Sequence, residues 1–153
     1  MEALAPHWVA RRRNAVAEAL FPDLMLFGEW CYALHSVHYT KLPDWFLAVD
    51  VYDRAAGAFW SVERRNELDR RLSLAIVPEL ARGRFDLERL LRLLGDSRLT
   101  DGPDEGIYVR REAKGHLALR AKPVRADFVQ AINEHWSKRG LSANQLADGS
   151  EWY

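Results

Sequence analysis

The chain has 153 residues, a length that fits one domain with a core of workable size. Its 22 basic and 22 acidic residues balance to a formal charge of zero, so bulk charge makes no case for a polynucleotide binder, and any nucleotide or nucleic-acid site must be a local patch. The single cysteine, Cys31, excludes an internal disulfide and a cysteine zinc cluster. No stretch is apolar long enough to span a bilayer and no signal-type apolar region opens the chain, so a cytoplasmic protein without membrane contact is expected.

Residues 5–20 have helical periodicity, with Trp8, Val9, Val16, Ala19 and Leu20 near one stripe and Arg11, Arg12 and Arg13 turned outward. "FPD" at 21–23 breaks that helix. Residues 24–33, "LMLFGEWCYA", read as a strand. Residues 45–53, "WFLAVDVYD", read as a second, buried strand entered through Pro43. "RAAG" at 54–57 makes a turn, and "AFW" at 58–60 pairs back. Ser61 is an N-cap for a helix from 62 to about 74. Asp86 caps another, in which Leu87, Leu90, Leu91 and Leu94 recur at helical spacing and Gly95 is the stop. Residues 105–111 and 116–122 form two strands joined by the turn "EAKG". A last helix over 126–139 buries Phe128, Val129, Ile132 and Trp136, and the tail beyond it is irregular. Strands and helices mix without a βαβ rhythm. The expected class is α+β, with largely antiparallel sheets and packed helices, in one domain over residues 1–153 that includes the 126–139 helix.

Chemistry has four places to sit. In "LALRAKPVR", at 117–125, alternation puts Arg120 and Lys122 on one face about 7 Å apart, a spacing that suits a polyphosphate. On spacing alone, a solvated hairpin edge is the simpler reading. Glu105 stands beside Gly106, where a carboxylate reaches a magnesium ion and a missing side chain admits a ligand to the backbone. A plain turn explains the pair as well. Glu29, inside "LFGEW", and Asp50, inside "LAVDVYD", are charges in apolar strands and need partners, either a ligand or a buried ion pair. His35 and His38 have a metal-like spacing but no third ligand, so ordinary packing is preferred. Cys31 and the tryptophans Trp8, Trp45, Trp60 and Trp136 read as packing residues. Neither a P-loop nor a G-x-S-x-G elbow is present.

Taken in order, these pieces resemble one family. "LFGEW" is similar to motif III of the covalent nucleotidyltransferases, "WFLAVDVYD" to motif IIIa, "DEGIYVRR" to motif IV and "LALRAKPVR" to motif V. The match is to ATP-dependent RNA ligases of the RNA-ligase-2 type, in particular short bacterial RNA ligase domain proteins. It spans about residues 27–136, with motifs III to V between 27 and 125. The resemblance implies a partial nucleotidyltransferase, ATP-grasp-like ligase domain that seals RNA ends with ATP and Mg²⁺ through a lysine–AMP intermediate. It gives Glu29 to the ribose and Asp50 to the nucleotide. Val49 stands at the place of an adenine-stacking aromatic. Glu105 goes to the metal and phosphates, and Arg120 and Lys122 to the α-phosphate. Arginine is a poor proton acceptor, so Lys122 is the candidate for direct chemistry at phosphorus.

One element departs from the pattern. The family's nucleophile lies in K-x-D-G, and none of Lys41, Lys114, Lys122 and Lys138 is followed by x-Asp-Gly. The expectation is a ligase domain truncated ahead of motif III, without its N-terminal strands and nucleophilic lysine, with an exposed sheet edge where a strand would pair. Beside it stand two other readings. One is a non-catalytic nucleotide- or RNA-binding module, or a split-protein fragment docking on a chain that supplies motif I. The other is an α+β domain with chance motif matches.

Overall fold

The computed structural model describes residues 4–35, 37–95, 97–126 and 142–148, without the side chains of residues 4–6. The fold is mixed α+β, with three α-helices among the described residues and sheets that are antiparallel except for one two-residue pairing. The expected 126–139 helix lies, beyond Ala126, outside the described residues.

Helix α1 (Leu4–Leu20) leads into strand β1 (Leu24–Trp30). Trp8 is the residue of the expected stripe that is buried, whereas Val9 is half exposed. The Trp8 ring lies 6.0 Å from Trp30 and 4.9 Å from Phe46, and its indole N–H donates to Asp44 at 3.1 Å. Arg12 is not simply turned outward: its guanidinium lies over Trp8 and pairs with Asp44 at 3.3 Å.

Strand β2 (Phe46–Asp53) is the centre of the main sheet. It pairs antiparallel with β1 along one edge. Along the other edge it pairs antiparallel with β3 (Ala58–Phe59) and parallel with β4 (Ala75–Ile76). The register skips between Phe27↔Asp50 and Gly28↔Ala48, which leaves Val49 as the unpaired residue of a β-bulge. Its carbonyl is therefore free to accept from the buried Arg65 guanidinium at 2.7 Å. Gly28 is fixed by the same crossing, because a Cβ there would sit 2.2 Å from the Phe46 ring and 2.6 Å from the Leu47 carbonyl. The core is a cluster of Cys31, Leu42, Trp45 and Leu47 at the Trp30–Phe46 end of the sheet.

Helix α2 (Val62–Arg71) starts on Ser61, whose hydroxyl accepts from the Arg64 N–H. It stops three residues earlier than periodicity predicts. Ser73 turns left-handed at φ 52°, and the Ser73 and Leu74 N–H groups bond to the Arg70 and Asp69 carbonyls, a Schellman closure. Helix α3 (Leu87–Arg92) is capped by Asp86 as expected and tightens into a 3₁₀ turn at Leu93–Gly95. Its apolar stripe is buried only at its end: Leu94 is covered, but Leu87 and Leu91 are 68% and 51% exposed.

Strands β5 (Val109–Ala113) and β6 (His116–Ala121) make a hairpin. Its two-residue turn is Lys114–Gly115, both at positive φ, the backbone of a type I′ turn. The first expected strand was to begin at residue 105. Instead the ladder begins at Val109, and Gly106 makes a separate bridge to Val124. Segment 142–148 is neither helix nor strand but is firmly tied in. Asn144 donates to the Cys31 and Ala33 carbonyls at 2.8 and 3.2 Å and accepts from the Tyr39 N–H at 3.0 Å. No helix among the described residues is long and apolar enough to cross a membrane.

Candidate functional site

The hairpin sends Tyr108 and Arg110 toward the main sheet, where both meet Asp50. The Tyr108 hydroxyl donates to one carboxylate oxygen at 2.8 Å and the Arg110 guanidinium pairs with the other. Arg110 also donates to the Trp60 carbonyl at 2.6 Å and to Glu112 at 3.1 Å. The same Glu112 oxygen accepts the Val62 N–H at 2.9 Å and so helps cap α2. Burial pushes the Arg110 pKa below its ordinary value, with Glu112 opposing that shift. Asp50 thus has the buried ion pair that its place in an apolar strand demanded.

Arg110 and Arg120 are direct cross-strand partners and therefore share the face turned to the sheet. Arg120 lies with its guanidinium 5.0 Å from the centre of the Phe59 ring. Phe59 packs on Phe27 at 5.7 Å and on Tyr52 at 4.9 Å. Phe27 pairs with Asp50 in the register, and it is 42% exposed. On the hairpin's other face Leu119 is 56% exposed, while Val109 and Leu117 are half-buried.

Lys122, just past β6, forms an ion pair with Glu105. Glu105 is held from behind: its carbonyl accepts the Arg125 N–H at 2.9 Å, and the next residue but one, Ile107, donates to the Pro123 carbonyl at 3.0 Å. Gly106 is required by this pairing. A Cβ there would lie 2.5 Å from the Pro123 carbonyl oxygen, so the space left by the missing side chain is filled by the chain's own backbone.

Glu105 and Glu29 line one small cavity of about 40 Å³, together with Trp30, Cys31, Tyr39 and Asn144. Glu29 is exposed at this cavity rather than buried in its strand, so it needs no internal partner. The acidic surroundings register on the neighbours. Burial first, then Glu105, Glu29 and Asp104, hold the Tyr39 phenol well above its ordinary value. Burial and then Glu29 push the Cys31 thiol up to about 12, which makes it inert. Burial raises Asp104, although the Ser97 hydroxyl donates to it at 2.6 Å. Among the described residues no group of three or more His, Cys, Asp or Glu side chains converges as a metal cage. His35 and His38 are both exposed.

A family model described as RNA ligase matches residues 2–124. The chain belongs to the RNA ligase family. No curated protein and no solved structure gives a significant match. The family match covers β1 to β6, and with them every residue singled out by the four motif resemblances. The structure puts Glu29 and Glu105 on one cavity, pairs Lys122 with Glu105, sets Arg120 on the hairpin over Phe59, and commits both Asp50 oxygens to Tyr108 and Arg110. Sequence reasoning missed Tyr108, Arg110 and Tyr39. The first two had a signal: they alternate with Ile107 and Val109, so they had to share one face.

Proposed function

We propose that this chain is the nucleotide-holding part of an RNA-ligase-type adenylyltransferase, acting with ATP, Mg²⁺ and RNA ends in the cytoplasm. The observation that carries this reading is the placing of Glu105, Lys122 and Arg120: Glu105 shares a cavity with Glu29 and pairs with Lys122, and Arg120 lies over Phe59 on the hairpin that Asp50 holds to the sheet. A ligand cleft between two sheets favours that arrangement.

Within it, Lys122 and Arg120 hold phosphate oxygens, Lys122 as a compact point charge and Arg120 through its planar fork. Glu29 takes the ribose, and the base lies by Val49 with an aliphatic contact rather than a stack. Asp50, its carboxylate shared between the hairpin's Tyr108 and Arg110, acts on the nucleotide by positioning that hairpin. Mg²⁺ fits Glu105, because this ion is held by one or two carboxylates and completed by substrate phosphates rather than by a protein cage. Bound there, the ion would neutralise charge on the transferring phosphate. The 40 Å³ cavity accommodates an ion and water, so the nucleotide itself lies over the open face.

In the complete reaction a lysine amine attacks the α-phosphorus of ATP, a P–N bond forms and pyrophosphate leaves. AMP then passes to an RNA 5′-phosphate, and a 3′-hydroxyl displaces it as the strand is sealed. No K-x-D-G lysine lies within residues 1–153, and Lys122 is held by Glu105. These two facts favour a second form of the same reading: a nucleotide- or RNA-binding module without its own nucleophile, which a separate chain supplies. Mixing the purified chain with labelled ATP and Mg²⁺ separates the two. A stable protein–AMP adduct establishes the first and eliminates the second. Saturable ATP binding without adduct establishes the second. If Glu29, Glu105 and Lys122 are all exchanged for alanine and ATP binding survives, the site assignment is wrong.

A further inference from the structure

A second cavity lies apart from the one between Glu29 and Glu105. It measures about 280 Å³ and lies between α1 and the Asp44 and Ser73–Ala75 segments. Its charge is unbalanced. Asp44, its carboxylate, is already matched by Arg12 and by the Trp8 indole. Arg11 lines the same cavity, is exposed, and has no carboxylate partner among the described residues. One positive charge is therefore left over in a concave site with an apolar floor at Leu74 and Ala75.

The lining carries a second sign. Ser73 occupies the left-handed position of the Schellman closure of α2, where glycine is the residue without a steric penalty. The chain keeps a hydroxyl-bearing residue there, in the cavity wall, at a cost to local backbone energy. Arg11 and Ser73 line one cavity, and a guanidinium and a hydroxyl can both donate to an oxyanion.

The cavity also has a definite place relative to the candidate site. Trp8 lines it, Trp30 lines the Glu29–Glu105 cavity, and the two indoles are in edge contact at 6.0 Å. Both cavities thus lie at the Trp30–Phe46 end of the β1–β2 pair, separated by one aromatic pair. We infer that this cavity is a second phosphate site, taking a phosphate of an RNA strand whose end is held at Glu29 and Glu105. The choice of RNA as the phosphate carrier rests on the function proposed above; the preference for a phosphate rests on Arg11 and Ser73 alone.

The test measures binding of a short single-stranded oligoribonucleotide, with and without a 5′-phosphate, to the full chain across a salt series. ATP binding is followed separately. Arg11→Glu is expected to weaken oligonucleotide binding about tenfold and to reduce the salt slope by about 0.7 or more, with ATP binding unchanged. Ser73→Gly is expected to weaken oligonucleotide binding while melting at or above the temperature of the parent chain. Loss for both oligonucleotides assigns the site to a backbone phosphate, and loss for the phosphorylated one alone assigns it to the strand end. An Arg11→Glu chain that binds both as the parent does, with the same salt slope, overturns the inference, and so does a loss confined to ATP. If ATP never binds but oligonucleotide binding depends on Arg11, the cavity stands and the nucleotide reading falls.

Discussion

Removing the Asp50 carboxylate tests the join between sheet and hairpin. The Asp50 and Arg110 side chains are 5% and 8% exposed, so Asp50→Ala strands a charge that water cannot reach. Breaking a buried pair in this way costs about 3–5 kcal/mol. Arg110 keeps Glu112 at 3.1 Å and the Trp60 carbonyl at 2.6 Å, which places the loss near the lower end, about 3 kcal/mol. For a chain of this size that is a fall in melting temperature of about 6–12 °C. Thermal and urea unfolding of Asp50→Ala, Arg110→Met and the double variant Asp50→Leu with Arg110→Met give the cycle. The double variant should recover most of the loss, because apolar replacement of both partners removes the stranded charge. A single-variant loss below about 1 kcal/mol, or a double loss equal to the sum of the singles, would refute the argument. An Asp50→Ala chain that melts as the parent does but no longer binds ATP would move Asp50 from the fold to the ligand.

Other outcomes follow from single positions. Gly106→Ala puts a Cβ 2.5 Å from the Pro123 carbonyl, so it should cost about 1–3 kcal/mol and weaken ATP binding by shifting Glu105 away from Lys122. Urea midpoints and ATP titration read both effects. Ser73→Gly should raise stability by up to about 1 kcal/mol in the same unfolding assay, because it relieves a left-handed non-glycine residue. Asp69 is buried 3.8 Å from Arg65, with no hydrogen bond to its carboxylate among the described residues, and burial raises its pKa from 3.8 to about 6. The folded chain therefore binds the extra proton, and this group's contribution to stability falls by about 3 kcal/mol as pH rises through that window. Asp69→Asn should remove that slope, and unfolding curves at several pH values whose slopes match those of the parent would contradict it.

What the sequence made legible was local. Ser61 and Asp86 cap their helices because capping needs only a side chain and an N–H three residues on. "EAKG" located the hairpin turn because a left-handed pair needs glycine at its second place. The strand over 45–53 was right within one residue, since a buried central strand is a continuous apolar run. Most misses were partners far along the chain. Periodicity gives the face of Asp50 but not that Arg110, 60 residues later, would fill it. Gly106 was right as a point of close approach and wrong about what approaches. The end of α2 was missed because its stop is a serine where composition rules look for glycine.

The same distinction decides how the site should be read. Glu29, Asp50, Glu105 and Lys122 all looked alike in sequence: charges in or beside apolar strands. Burial separates them. Asp50 is sealed against two hairpin donors, and so its charge is used up in holding the hairpin to the sheet. Glu29 and Glu105 line one open cavity, and the pairing of Glu105 with Lys122 beside it is of the exposed kind that contributes about 1 kcal/mol or less. A ligand phosphate can therefore displace Glu105 from Lys122 at small cost, whereas nothing displaces Arg110 from Asp50 without unfolding the hairpin. The buried pair ties the hairpin that carries Arg120 to the sheet, and the exposed pair is the one left free to exchange partners.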